Sequence, residues 1–367
     1  MEGCFLKSTK RLMAPMVIAV LIVACGDVDN PGKTRQAISS IKESTILQTI
    51  ERLGRVQDDH HSNAVESSKR LSRSVQIFLA APGDATLQSL KGTWLEAHYD
   101  FLAARFFSFV ETDLQNFSVD AWPIQEGFLD RLPQYPHSGI ISDITLSINS
   151  ATLREQHGIT DPEEVSLGFH ALEFLLFSRN IEDYSLDGGT ATLRRRQALG
   201  VIAEVLDQDV ELMLSESRIA TRDYLASTNN GSPIDIRSLL PILEALYSRV
   251  SLLFVEANDI SEISGHSRFS QSSLQNLQAQ VGVLSELTGE RTELDAVFLL
   301  LDQNITAEYR TTLGQTVVIL AMEDLGEEQN TRLPLLLAAL GHQLDDFRMA
   351  MTRSIKLQAS NQDPWQL

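Results

Sequence analysis

Apolar residues recur at gaps of three and four along almost the whole chain, and this limits the fold more than any other feature. In 193–214, Leu199, Ile202, Leu206, Val210 and Met213 form one such series; Leu337, Leu340, Leu344, Phe347 and Met351 form another. At about 3.6 residues per turn, each series lies on one side of a helix and marks a face to be buried. Convincing period-two strands are absent. The 367 residues exceed what one hydrophobic core usually serves, so two domains are expected.

Turn residues divide the helices. "APGD" (81–84) is a turn whose Asp84 can cap the next helix. "ITDPEEV" (159–165) puts Asp161 at an N-cap and Pro162 at the first helical position. "LDGGT" (186–190) and "STNNGSP" (227–233) read as loops, the second as a domain linker. Helices are predicted near 34–80, 85–110, 138–156, 163–178 and 190–226, then near 235–258, 269–288, 291–310, 312–326 and 333–356. The stretch 111–137 reads as irregular, and long irregular segments in helical domains often carry function. The expected fold is all-α: two helical bundles of similar build packed side by side, over 34–228 and 234–367.

The first 24 residues read as a secretory signal. Lys7, Lys10 and Arg11 precede "LMAPMVIAVLIVA" (12–24), which is too short to span a bilayer. Cys25 follows in "LIVACGD", which looks like a bacterial lipobox with Cys25 as the acylated first residue and 25–33 as a tether. Lipid would then hold the protein on the membrane. The absence of aspartate directly after Cys25 points to the outer membrane and a periplasmic face. The only other cysteine, Cys4, lies in the signal, so no disulfide is expected. Residues 1–24 hold three of the 30 basic and one of the 49 acidic residues, leaving a mature charge of −21. Such a surface repels phosphate backbones, which argues against nucleic acid as a partner.

"GFHALEFLLF" (168–177) is apolar nearly all round, apart from His170 and Glu173. At about 100° per residue from Gly168, these two fall near 200° and 140°, on one face. A helix of this kind is buried, and a buried carboxylate or imidazolium needs a partner. Two arrangements satisfy both side chains. They can ligate a cation together, as such pairs do in di-metal bundles, or hydrogen-bond each other.

The same stretch resembles the Gly-x-His-x-x-Glu motif of the imelysin-like family, also classed as a peptidase family. "AWPIQEGFLDRL" (121–132) is similar to its Trp-Pro segment. "GHSRFSQSS" (265–273) resembles its second-half signature, usually Glu-His-Ser-Cys-Phe-Ser-Asp-Asn-Thr. The resemblance implies paired helical bundles with the motifs gathered near their interface, in cell-envelope proteins that include iron-regulated members and a protease. Residue by residue it implies a metal site at His170 and Glu173, with His266 facing them and iron or zinc as the metal. Gly168 would be a close-packing position. Trp122 and Pro123 would shape the irregular loop, and Ser267, Phe269 and Ser270 would face it. The sequence departs from the family where Gly265, Gln271 and Ser272 replace acids or Asn. The acid expected after the early Trp-containing helix, "TWLEAHYDFLAARFF" (93–107), has no clear counterpart.

A hydrolytic metal centre needs about three ligands, an open position and a base. "GFHALEF" supplies at most two ligands and no separate base, so no catalytic residue is assigned. His60 and His61, behind Asp58 and Asp59, read as a solvated face, as does His342 with Asp345 and Asp346. Three readings stay open: a metal-binding envelope lipoprotein working with iron-uptake partners, a metallopeptidase acting on exported proteins, and a helical interaction module.

Overall fold

The computed structural model describes residues 41–107, 118–227, 235–258 and 266–359. The predicted signal, Cys25 with its expected tether, residues 228–233 of the predicted linker, and Gly265 lie outside the described residues. Among those described, helices make up nearly all regular structure, with a single isolated bridge at Leu132 and Tyr135. The fold is all-α.

Among the described residues eleven α-helices follow one another: α1 (Glu43–Ala80), α2 (Asp84–Arg105), α3 (Glu126–Leu129), α4 (Ser150–Gln156), α5 (Phe169–Phe177), α6 (Thr190–Ser227), α7 (Leu240–Asn258), α8 (Ser273–Thr288), α9 (Glu293–Leu301), α10 (Gln303–Leu320) and α11 (Glu327–Ala359). One apolar core joins the second half of α1 (Leu71, Val75, Phe78) to α2, α5 and α6. A second joins the first half of α1 (Ile46, Leu53, Val56) to α7–α11. Helix α2 also contributes to both, with Trp94 and Phe101 in the first core and Ala103 in the second. At about 1.5 Å per residue the 38 residues of α1 run roughly 57 Å, long enough to serve two cores. Helices α1 and α2 therefore tie the bundles together, and what lies between them sits at the junction. Helix α7 is apolar enough to span a membrane by composition, but half of its most apolar window is buried, with α11 packed against it.

Several predicted boundaries are corrected, each by a local hydrogen bond or backbone constraint. Asp84 is the first residue of α2 and not its cap; Thr86 Oγ1 accepts from Gly83 N instead (3.1 Å). Of the helix predicted over 138–156, only α4 forms, with Asn149 as its cap. Gly139 has φ +83°, and backbone atoms of Asp130 lie 2.7–2.9 Å from where a Cβ would stand, so the chain turns there. The helix predicted over 163–178 is α5 alone. Asp161 accepts from Glu163 N (2.9 Å) and Glu164 from Thr160 N (2.7 Å), which closes a separate turn. The helix predicted from 269 begins at Ser273, behind a turn with Ser267 and Gln271 at positive φ. The helix predicted over 291–310 is broken at Asp302, whose side chain caps Asn304 and Ile305 and starts α10.

The irregular segment from Ser118 to Asn149 has few backbone pairs, so side chains must satisfy it. Arg194 donates to the carbonyls of Ile140, Ile141 and Asp143. Buried Arg195 grips buried Asp130 with two bonds, Nε at 2.6 Å and Nη2 at 3.0 Å. Arg196 donates to the carbonyls of Tyr184 and Leu79. The "RRR" run at 194–196 is internal scaffolding.

Candidate metal centre

Glycine 168 explains how two distant segments come together. Its φ is +91°, and a Cβ there would stand against the carbonyl oxygens of Ser118 and Val119, 2.7 Å from the second. Only glycine tolerates both the dihedral and the approach. Phe169 N then donates to Val119 O (2.8 Å), which places Asp120 beside the first turn of α5, where His170 stands. Trp94 on α2 donates its indole N–H to Phe169 O (3.0 Å). His98 follows one turn later on the same face of α2, its ring against Phe169 with centroids 4.9 Å apart. The turn before α8 supplies His266, whose carbonyl accepts from Ser273 Oγ.

These segments bring His98, Asp120, His170 and His266 together, with one donor atom from each within 4.8 Å of all the others. Asp120 Oδ1 lies 3.0 Å from His98 Nε2 and 3.2 Å from His170 Nε2. Asp120 Oδ2 lies 3.7 Å from His266 Nε2, and the two imidazole Nε2 atoms of His170 and His266 are 3.0 Å apart. Asp120, His98 and His170 are almost wholly enclosed; His266 keeps 16% of its side chain exposed. Arg105, at the end of α2, also pairs with Asp120 Oδ2.

Glu173 takes a different place from the one expected. Its Oε2 lies 2.8 Å from His170 Nδ1, on the other side of the ring from the cluster. Its Oε1 accepts from Ser270 N (2.8 Å) and Ser270 Oγ (2.7 Å). Glu173 thus lies outside the four-residue group and supports it from behind. Of the other residues singled out by sequence, Phe269 packs on Phe174 (centroids 5.3 Å) and Trp122, whose bond to Pro123 is cis, packs edge-on to His266 (5.6 Å). Ser267 is fully buried and accepts from Asn276 Nδ2 (2.8 Å), so it is no exposed nucleophile beside His266.

Charge is distributed unevenly over the cluster. Burial pulls the His170 imidazole down, but hydrogen bonds to Asp120 and Glu173 outweigh it and raise its pKa to about 9. Burial dominates at His98, which is lowered to about 4 despite its bond to Asp120. Asp120 pays for its burial but, facing three imidazoles, is held well below the usual carboxylate range. Glu256, behind His266 on α7, is raised by burial and accepts from Gln280 Nε2 (3.1 Å).

Two members escaped sequence reasoning. His98 lies in the Trp-containing stretch, and Asp120 is an acid after that helix where none was recognised. A signal for His98 was present, since it follows Trp94 by four residues on an otherwise apolar face. Asp120 had only its place two residues before Trp122. The reading of His60 and His61 as a solvated face is half corrected: His60 pairs with Glu286 (3.2 Å), whereas His61 is buried near Phe107 and lowered to about 4 by desolvation. His342 is exposed, as expected.

The four donors fit a transition metal. In a tetrahedral site with bonds of about 2.0–2.1 Å, ligand atoms stand roughly 3.3 Å apart. Counting both Asp120 oxygens, the four separations given above run from 3.0 to 3.7 Å, and one donor atom from each residue lies within 4.8 Å of the others. Imidazole with carboxylate suits zinc, iron and manganese. The Nδ1 atoms are held unevenly: His170 has Glu173 behind it and His266 has Asn276 (3.1 Å), while His98 Nδ1 has no hydrogen-bond partner among the described residues.

The family model described as Imelysin matches residues 58–333. Two solved structures share the fold. An imelysin-like protein from Psychrobacter arcticum 273-4 aligns with a TM-score of 0.52 at 17% identity, over 86% of this chain and 95% of that one. A protein assigned as an iron-regulated protein A precursor from Parabacteroides distasonis ATCC 8503 aligns with a TM-score of 0.57 at 12% identity, over 89% and 97%. No curated protein matches the chain.

Proposed function

The chain belongs to the imelysin family, and on that premise we propose that it is a cell-envelope protein whose His98, Asp120, His170 and His266 bind one transition metal ion, iron or zinc, in iron acquisition. The observation that carries this reading is the convergence of four donor atoms from four segments within 4.8 Å. Exposed acids cluster by chance, but three imidazoles turned onto one buried carboxylate require a fold that holds them there. A bound divalent ion would supply the positive charge that this donor set is arranged to neutralise. Glu173 acts as the orienting residue: accepting from His170 Nδ1 keeps the Nε2 lone pair available. The iron-regulated name of the Parabacteroides distasonis relative supports iron as the metal. A peptidase would need a free carboxylate as base, and Glu173 already accepts three hydrogen bonds. The lipobox-like start adds an acyl anchor at Cys25, on the periplasmic face of the outer membrane, where iron-uptake proteins are the partners.

Elemental mass spectrometry of the mature chain, equilibrated with iron, zinc and manganese, tests the reading. Near-stoichiometric metal is expected in the parent and little in His98→Ala, Asp120→Asn and His170→Ala. In Glu173→Gln affinity should fall about 10–100-fold without the site being lost. No metal in the parent, or equal metal in every variant, overturns the proposal. Palmitate labelling that survives Cys25→Ser would remove the anchor.

A further inference from the structure

Arg105 follows His98 by seven residues on α2, two turns along the same face. Among the described residues it makes one hydrogen bond, from Nη1 to Asp120 Oδ2, although a guanidinium carries five N–H donors. Its side chain is 41% exposed, against 4% for Asp120 and none for His98. His266, the most exposed of the four donors, faces the same carboxylate oxygen at 3.7 Å. Asp120 Oδ2 therefore lies at the mouth of the cluster, between an imidazole and a guanidinium. A second guanidinium stands close by: Arg249 on α7 is lowered to about 10, by burial first and then by the charge of Arg105. Glu256, two turns further along α7, is near enough to interact with Arg105, His266 and Asp120, and its Oε2 already accepts from Gln280.

An ion held by Asp120 would place three cations, the metal and two guanidinium groups, around these two carboxylates. Surplus positive charge in a largely enclosed site is costly unless an anion joins it. Four protein donors complete a tetrahedral ion, but iron commonly keeps further positions for an outside ligand. We infer that the cluster takes its metal together with a small chelating dicarboxylate, which Arg105 grips at the mouth while the anion's oxygens fill the positions the protein leaves open. The inference rests on the metal reading above. A guanidinium edge offers two parallel N–H bonds to such a group, and its charge does not depend on pH. In the empty site Asp120 Oδ2 holds the place of that anion. On loading, the carboxylate goes to the metal and the guanidinium to the incoming oxyanion.

Iron(II) affinity of the full mature chain tests this, measured without oxygen by competition with a chromophoric chelator, in oxalate and in chloride at one ionic strength. Once its own hold on iron is subtracted, oxalate should tighten binding about 10–100-fold in the parent. Labelled oxalate should stay with the protein only when iron is present. Arg105→Gln should lose that gain, yet bind iron more tightly than the parent in chloride, because a like charge has gone. A residue that merely held Asp120 in place would give weaker binding in both salts. Arg105→Lys keeps the charge but not the paired N–H groups, and should also lose most of the gain. Equal affinity in the two salts overturns the proposal, and is the result expected if Arg105 turns to Glu256 on loading. An oxalate gain that survives in R105Q overturns it too, as does weaker binding by R105Q in chloride. A parent that takes up neither iron(II) nor zinc in either salt ends the metal reading as well.

Discussion

Asp130 and Asp120 lie ten residues apart in the same irregular segment, and both are buried, yet one is a strut and the other a site. Asp130 accepts from Arg195 twice, from Arg179 Nε (2.9 Å) and from Arg131 N (2.8 Å). Guanidinium groups keep their protons and have no lone pair to give. Asp120 also holds one guanidinium, Arg105 at Oδ2, but it faces three imidazoles besides, each of which can lose a proton and offer a nitrogen to a metal. The partner's chemistry, more than the burial of the acid, separates a permanent ion pair from a place that can take a cation.

The largest effect expected from this contrast is at the strut. Arg195→Met takes two of its four hydrogen bonds from a buried carboxylate, which keeps Arg179 and Arg131 N, and should cost up to about 3–5 kcal/mol in urea unfolding, while metal content per folded molecule stays unchanged. A cost under about 1 kcal/mol would mean that Asp130 is no strut. Gly168→Ala comes next. With φ +91° and carbonyls pressed against the missing Cβ, it should cost about 2–3 kcal/mol and weaken metal binding by displacing Asp120.

The two nodes should also answer pH differently. His170 is raised to about 9, so its contribution is complete below about pH 6.5 and is lost as pH rises through 9 in metal-free protein. His61 is lowered to about 4, so its contribution is present above pH 6.5 and is lost as pH falls toward 4. Each arm amounts to at most about 3 kcal/mol. Asp130 is also held below its usual value, with burial opposed by Arg195, so the strut should persist until pH falls below the carboxylate range. Urea midpoints at three pH values should therefore peak near 6.5. His61→Leu should reduce the acid arm, which His98, also lowered to about 4, shares, and saturating metal should flatten the alkaline one. Stability that climbs from pH 6.5 to 8.5 without metal would break this account. The smallest effect belongs to the surface: Glu51→Gln, which breaks the exposed pair with Arg55, should move stability by less than about 0.5 kcal/mol.

Much of this was legible in the sequence, for reasons that also explain the misses. The helical frame could be read because its apolar stripes are long and local. His170 and Glu173 stood out because two polar residues interrupt a helix that is apolar nearly all round. The same logic applies to His98, within "TWLEAHYDFLAARFF", where nearby charged residues on the wet face of α2 masked it. Asp120 depends on Gly168, 48 positions away, and no local pattern reports such a contact. Spacing puts His170 and Glu173 on one face but does not say which nitrogen of the ring Glu173 meets, so ligation and a hydrogen bond could not be told apart. Boundaries failed where a single side chain or a left-handed residue decided them, as at Asp302, Gly139 and Ser267.

Anomalous diffraction from metal-soaked crystals, collected at the absorption edge of the bound ion, tests the central claim most directly. The account predicts one peak about 2.0–2.2 Å from Nε2 of His170 and His266 and from an Asp120 oxygen, with His98 completing the set and Glu173 bonded to His170 and Ser270 and not to the metal. A peak bonded to Glu173, or none in the cluster at full saturation, would contradict it.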